Sequence, residues 1–167
     1  MTKQIMVKET DPPAGFGRRA FLAGATSALV ASPQLASAQQ ADIWSARDAQ
    51  DALAGDLIRM IDVRSRAEWA ETGVARDAWP ISLHEDRFSE RLLAAKIAAD
   101  GRPLALICAT GGRSGYVYKS LRDAGYAGFV DVSEGMLGSA RGPGWIASGL
   151  PIVSAEAALD ALPADLL

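Results

Sequence analysis

From residue 40 onward, short apolar runs alternate with stretches in which apolar positions recur every three or four residues. Ile43-Trp44 is a short apolar start. Ser45 is placed to cap a helix that runs through Leu53 and is ended by Gly55. Residues 57–63 are mostly apolar and have the length of a buried strand. Ser65 is placed to cap a short helix over residues 66–71, which stops at Gly73. Residues 79–83 are a second extended run. Within residues 86–99, Phe88, Leu92 and Ala95 fall at i, i+4 and i+7, the spacing of one helix face, and Gly101 ends the pattern. Residues 103–107 are the clearest buried strand and lead directly into Cys108. Residues 114–124 form the next helix, ended by Gly125, and residues 129–132 a last short strand. The stretch from Gly135 to Gly149 is glycine-rich, contains Gly142-Pro143-Gly144 and reads as a loop. The tail, residues 154–167, holds one short capped helix over 154–162. Strands alternating with helices predict an α/β fold with a mainly parallel central sheet and helices on both faces.

Residues 1–38 do not share this pattern. Residues 1–17 are polar and irregular, and Arg18-Arg19-Ala20-Phe21-Leu22 follows. The next residues, through Ala31, carry no charge and are rich in Ala, Gly, Ser and Thr. Ala36-Ser37-Ala38 closes the segment with small residues where a signal peptidase reads them. This is the layout of an export signal. Its uncharged stretch is shorter than the roughly 20 apolar residues that span a bilayer, so no stable membrane span is expected. The paired arginines before Phe21-Leu22 resemble the twin-arginine export signal, with Gly17 where Ser or Thr is usual and Ala23 where Lys is common. The resemblance implies a periplasmic protein, exported already folded and cleaved after Ala38. Residues 39–167 then form one domain with its core over about 42–153.

Composition narrows the function classes. The 167 residues are 49% hydrophobic and 22% charged, as in a globular chain. The net charge is −3, and no basic stripe suggests nucleic acid as a partner. Removal of residues 1–38 takes four of the 17 basic and two of the 20 acidic residues, leaving 13 and 18, a net charge of −5. Cys108 and His84 are the single cysteine and the single histidine. An intramolecular disulfide, a C-x-x-C redox pair and a closed Cys/His zinc site are thereby excluded.

The informative segment is Cys108-Ala109-Thr110-Gly111-Gly112-Arg113-Ser114. It joins a buried strand to a helix, and ligands of open α/β sheets bind at the carboxyl ends of strands. Gly111 and Gly112 permit a tight turn, and successive N–H groups can then form an anion nest. The positive end of the following helix adds to it. A thiol in such a nest is driven below its ordinary pKa of about 8.5, toward the thiolate. Arg113 supplies a fixed cation suited to an oxyanion.

Residues 108–114 match C-x-x-G-x-R-S, and here the chain resembles the single-domain rhodaneses. Asp62-Val63-Arg64-Ser65 with Glu68-Trp69 resembles that family's D-V-R-x-x-x-E-[YFW] segment. Glu134-Gly135, Trp145 and Gly149-Leu150-Pro151 resemble its closing segment. Two departures stand out. Gly73-Val74-Ala75 replaces the usual Gly-His-Ile, and residues 138–144 look inserted before Trp145. The resemblance implies a rhodanese-like α/β fold and sulfur transfer through a persulfide on Cys108. The donor would be thiosulfate-like, the acceptor cyanide or a thiol, and no cofactor or metal is implied. The backbone of Ala109, Thr110, Gly111, Gly112, Arg113 and Ser114 would cradle the sulfur. Arg113 would hold the departing oxyanion, and the Ser114 hydroxyl would donate to sulfur or cap the helix. Thr110 stands at the mouth, facing solvent.

Other residues are assigned by context. Asp62 and Arg64 read as structural support near a strand end. Arg141, in the insert, reads as a solvated loop residue with a second anion contact as its functional alternative. Trp145 reads as core or pocket wall, and His84 has no assigned role. The related phosphatases and arsenate reductases use a loop one residue longer, C-x-x-x-x-x-R, so the ring formed here is too small for phosphate beside sulfur. The remaining alternative is a persulfide carrier that serves an envelope partner protein with little turnover on small donors.

Overall fold

The computed structural model describes residues 42–167. The export-signal reading, including the cleavage after Ala38, lies outside the described residues.

Five parallel strands form the central sheet in the order β1-β6-β5-β2-β4. They are β1 (Ile43–Trp44), β2 (Arg59–Asp62), β4 (Trp79–Pro80), β5 (Leu104–Ile107) and β6 (Phe129–Val132). The central strand β5 is buried on both faces, which explains its unbroken apolar run. Ala105 and Ile107 pack with helices α1 (Ala46–Ala54), α2 (Arg66–Thr72), α5 (Gly144–Ala147) and α6 (Ala155–Asp160). Leu104 and Leu106 pack on the other face with α3 (Phe88–Ala98), α4 (Gly112–Asp123) and the closing turn Ala164–Leu166. Side chains alternate along a strand, so Cys108 continues the Leu104–Leu106 side and meets α4.

Local signals set several boundaries. Ser45 and Ser65 each accept from the N–H three residues on, and Asp48 and Glu68 return the bond, so both helices begin with a capping box. Ser154 caps α6 by accepting from Ala157 N–H, without the returning bond. The expected strand over 57–63 is shorter than its apolar run. Leu57 is spent closing α1, its N–H donating to Ala52 O, and its side chain is exposed. The run over 79–83 yields only the two-residue β4, since Pro80 has no N–H. Ile81 and Leu83 still donate to Asp62 O and Val63 O, which keeps the segment along β2.

Three features depart from the sequence pattern. The helix expected from Ser114 begins two residues earlier, at Gly112, with Gly111 as its N-cap. The glycine-rich stretch 135–149 contains the one-turn helix α5. β3 (Val74–Ala75) and β7 (Ile152–Val153) pair antiparallel as a separate two-stranded sheet. Two-residue strands are too short to carry an alternation signal.

Candidate active site

The carboxyl ends of β2, β5 and β6 converge, and Cys108 stands after the middle one. Cys108 is 1% exposed. Gly111 has φ +82°, and a Cβ there would lie 2.0 Å from Ser133 O, so glycine is required at this turn. Gly112 has open space and an ordinary φ. The need for glycine in the pair therefore rests on Gly111 alone.

The loop is pinned from outside by backbone. Met136 N–H donates to Cys108 O and Leu137 N–H to Ala109 O, each at 2.8 Å. Gly135 allows this approach, since a Cβ there would lie 2.4 Å from Ala109 O. With those carbonyls engaged, the N–H groups of residues 109–114 are left over. Among the described residues, none of the six donates to any backbone or side-chain acceptor. Six N–H groups without a protein acceptor, in the loop that follows a buried cysteine, are what an anion nest would be built from.

Ser114 is buried. Its hydroxyl is 3.4 Å from Cys108 Sγ and 3.3 Å from Gly111 O, so it can donate to the sulfur or satisfy the turn. Arg113 is engaged elsewhere. Its Nη1 donates to Glu68 Oε2 at 2.8 Å, and its Nη2 donates to Glu68 Oε1. Glu68 Oε2 also accepts from Ser65 N–H and Ser65 Oγ, both at 2.8 Å. The Arg113 hydrogen bonds, helped by those from Ser65 and set against burial, hold the Glu68 carboxyl at about 2, against an ordinary 4.5. Arg113 is shifted up, first by its hydrogen bonds to Glu68 and further by the charges of Glu68, Cys108 and Asp62. The cation expected beside the sulfur is present, but it is already neutralised.

Asp62 and Arg64 form a fully buried pair. Arg64 Nε donates to both Asp62 oxygens at 3.0 Å and Nη2 donates to Oδ2 at 2.7 Å. The rest of the guanidinium donates to Thr72 Oγ1 and Gly73 O, which joins the end of β2 to the end of α2. This holds α2, and with it Glu68, beside the loop.

The other singled-out residues are more scattered. Thr110 is exposed at the rim of the loop. Trp145 is fully buried in the core, its Nε1 donating to Pro151 O. His84 is exposed, and its backbone N–H donates to Ser82 Oγ. Arg141 lines a groove with Thr110, Gly111 and Gly112. Two further residues beside the loop, Glu68 and Asp131, carry sequence signals that do not reveal their surroundings. Glu68 was visible as the third position of the Ser65 capping box, but its partner was not. Asp131 was visible as a charge inside the apolar run 129–132. The backbone pins at Met136 and Leu137 involve no side chain and left no signal.

Residues 45–139 match the family model described as the Rhodanese-like domain. The chain belongs to the rhodanese-like family. No protein of curated function matches it. Among solved structures it is similar to Rv0390 from M. tuberculosis, with 28% identity over 65% of this chain and 94% of the other, and a TM-score of 0.50. It is also similar to a rhodanese-like domain protein from Staphylococcus aureus, with 24% identity, 67% and 98% coverage and a TM-score of 0.47. The five-stranded parallel sheet with helices on both faces is the rhodanese-like α/β fold. Among the described residues no helix is long and apolar enough to cross a membrane.

Proposed function

We propose that this rhodanese-like chain is a sulfurtransferase that carries sulfane sulfur on Cys108. The observation that supports this most is the row of six N–H groups, residues 109–114, that have no acceptor among the described residues and follow a buried cysteine directly. In the first half-reaction the Cys108 thiolate bonds to the outer sulfur of thiosulfate. The S–S bond of the donor breaks, sulfite leaves with its electron pair, and a Cys108 persulfide remains. In the second, a nucleophile such as cyanide or a thiolate bonds to the outer sulfur, and the electron pair returns to Cys108. The thiolate that attacks and the persulfide that results both carry negative charge on sulfur, so one nest of donors serves both steps.

The roles follow from position. The backbone of Ala109 through Ser114 is the cradle, and the Ser114 hydroxyl donates to the sulfur. Arg113 holds the sulfonate end of the donor only in part, because Glu68 occupies its fork. Asp62 and Arg64 support the site from beneath. Export to the periplasm by the twin-arginine route, with cleavage after Ala38, completes the reading.

Purified residues 39–167 should transfer sulfur from thiosulfate to cyanide, and Cys108→Ser should reduce this to background. Failure of the unsubstituted chain, with a Cys108 persulfide still seen by mass spectrometry, turns the reading toward a dedicated carrier. Cys108-dependent hydrolysis of phosphate esters overturns it. The mass of the protein recovered from its own envelope checks the Ala38 cleavage and any sulfur on Cys108 together.

A further inference from the structure

β5 lies between β2 and β6, so the Cys108 loop has two flanks. The β2 flank is filled by Arg113 and Glu68. On the β6 flank lies a groove of about 530 Å³, lined by Thr110, Gly111, Asp131, Ser133 and Arg141 among others.

Among the described residues, two charged groups of this groove have no protein partner: Asp131, which is buried, and Arg141, which is exposed. Asp131 is 5% exposed, and its Oδ1 is buried with no hydrogen-bond partner. Its Oδ2 lies beside Gly115, where a Cβ would stand only 3.3 Å away. Burial pushes the Asp131 carboxyl up, while the Ser114 hydroxyl and the Arg141 charge act against the rise. A buried carboxylate oxygen without a donor is costly, and the residue that carries it lines the groove.

Arg141 is the second group. Among the described residues its guanidinium makes no hydrogen bond and no ion pair. The other two cations of the groove are occupied: Lys119 pairs with Asp123, and Arg122 stands 4.0 Å from Asp123 and over the Tyr118 ring. Nor is Arg141 on a loose loop. Ser139 and Gly142 exchange backbone hydrogen bonds at 2.9 and 3.2 Å. Ser139 Oγ donates to Ser133 O and accepts from Arg141 N–H, each at 3.1 Å. Gly144 N–H donates to Glu134 Oε2 at 3.2 Å. The insert is a fixed turn that presents one free guanidinium beside the sulfur loop.

A carboxyl and a guanidinium that line one groove, close enough to feel each other yet unpaired among the described residues, are complementary to a molecule with an ammonium and a carboxylate. We propose that this groove binds the sulfur acceptor as a small zwitterionic thiol of the amino-acid class, its ammonium on Asp131 and its carboxylate on Arg141. This deepens the sulfurtransferase reading and rests on it. The acceptor thiolate bonds to the outer sulfur of the Cys108 persulfide, and the bond from that sulfur to Cys108 Sγ breaks. Its electron pair stays on Cys108, and the acceptor leaves as a persulfide. No oxidant or reductant is consumed.

The test loads the unsubstituted chain, Arg141→Gln and Asp131→Asn with thiosulfate. It then measures kcat/KM for cysteine, cysteamine, 3-mercaptopropionate and 2-mercaptoethanol at one pH. Comparing each thiol between variant and parent cancels its intrinsic reactivity. Arg141→Gln should cut the two carboxylate-bearing thiols about tenfold relative to 2-mercaptoethanol, and Asp131→Asn the two amine-bearing ones by a similar factor. Arg141→Lys should restore part of the first effect, and thermal unfolding confirms that each variant is folded. Equal slowing of all four thiols, or none, overturns the proposal. Binding of S-methylcysteine to Cys108→Ser, followed by calorimetry, needs no sulfur transfer. It should weaken with either substitution even if the thiosulfate–cyanide reaction fails, so the two readings fail separately. Binding indifferent to both residues overturns the groove assignment.

Discussion

Arg64 and Arg113 each hold a carboxylate in a forked guanidinium, in surroundings that differ mainly in water. The Asp62–Arg64 pair is 0% and 1% exposed, and the guanidinium spends its remaining donors on Thr72 and Gly73. The Glu68–Arg113 pair is 28% and 30% exposed and lies against the sulfur loop. A charge removed from the first pair leaves its partner stranded in the interior. A charge removed from the second leaves a partner that water can solvate. The same chemistry therefore serves as a fastener in one place and as an adjustable charge in the other.

The largest expected effect tests the fastener. Arg64→Ala should cost about 3–5 kcal/mol in urea unfolding, the scale for stranding a buried charge. A loss no larger than that of a surface pair would remove the contrast. Arg113→Ala and Glu68→Gln should each cost about 1 kcal/mol, since solvent screens the pair and the capping box adds a modest share. Their activities should diverge. Arg113→Ala should raise the KM for thiosulfate, whereas Glu68→Gln frees the guanidinium and should lower it. A collapse in stability with Arg113→Ala would assign that residue to the fold instead.

A finer effect is the pH dependence of stability. Glu68 titrates at about 2 in the folded chain and near 4.5 when unfolded. Its ionised form stabilises the fold fully above 4.5, and that stability is lost as pH falls through about 2. Glu68→Gln should flatten the urea midpoint between these values, and an unchanged slope would place the acid sensitivity elsewhere. The smallest effect is that of salt. From about 0.01 to 1 M the Debye length falls from about 30 to about 3 Å. The few tenths of a kcal/mol from Glu68–Arg113 should fade, while the buried pair is unmoved. A double-mutant cycle at each ionic strength reads both.

Much of this was legible in the chain because it depends on near neighbours. Ser45 and Ser65 mark helix starts through bonds that close over three residues. The 104–107 run marks a strand covered on both faces. The loop composition marks a tight turn, and Gly111 makes it with φ +82°. What stayed hidden was long-range or carried by backbone. Arg113 meets Glu68 across 45 positions. Met136 and Leu137 hold the loop through N–H groups that any residue but proline would supply. The β3–β7 pairing joins segments with two residues each.

The sequence by itself determined the α/β alternation, the caps and the place of the cysteine loop between a buried strand and a helix, because periodicity and local hydrogen bonds are properties of contiguous residues. Only the tertiary structure decided which charges are compensated. It neutralised Arg113 with Glu68, sealed Asp62 with Arg64, and among the described residues buried Asp131 without a cation paired to it while leaving Arg141 exposed at the same groove. The reason is physical: the worth of a charge depends on its distance to partners and to water, and both are set when strands distant in the chain come to lie side by side.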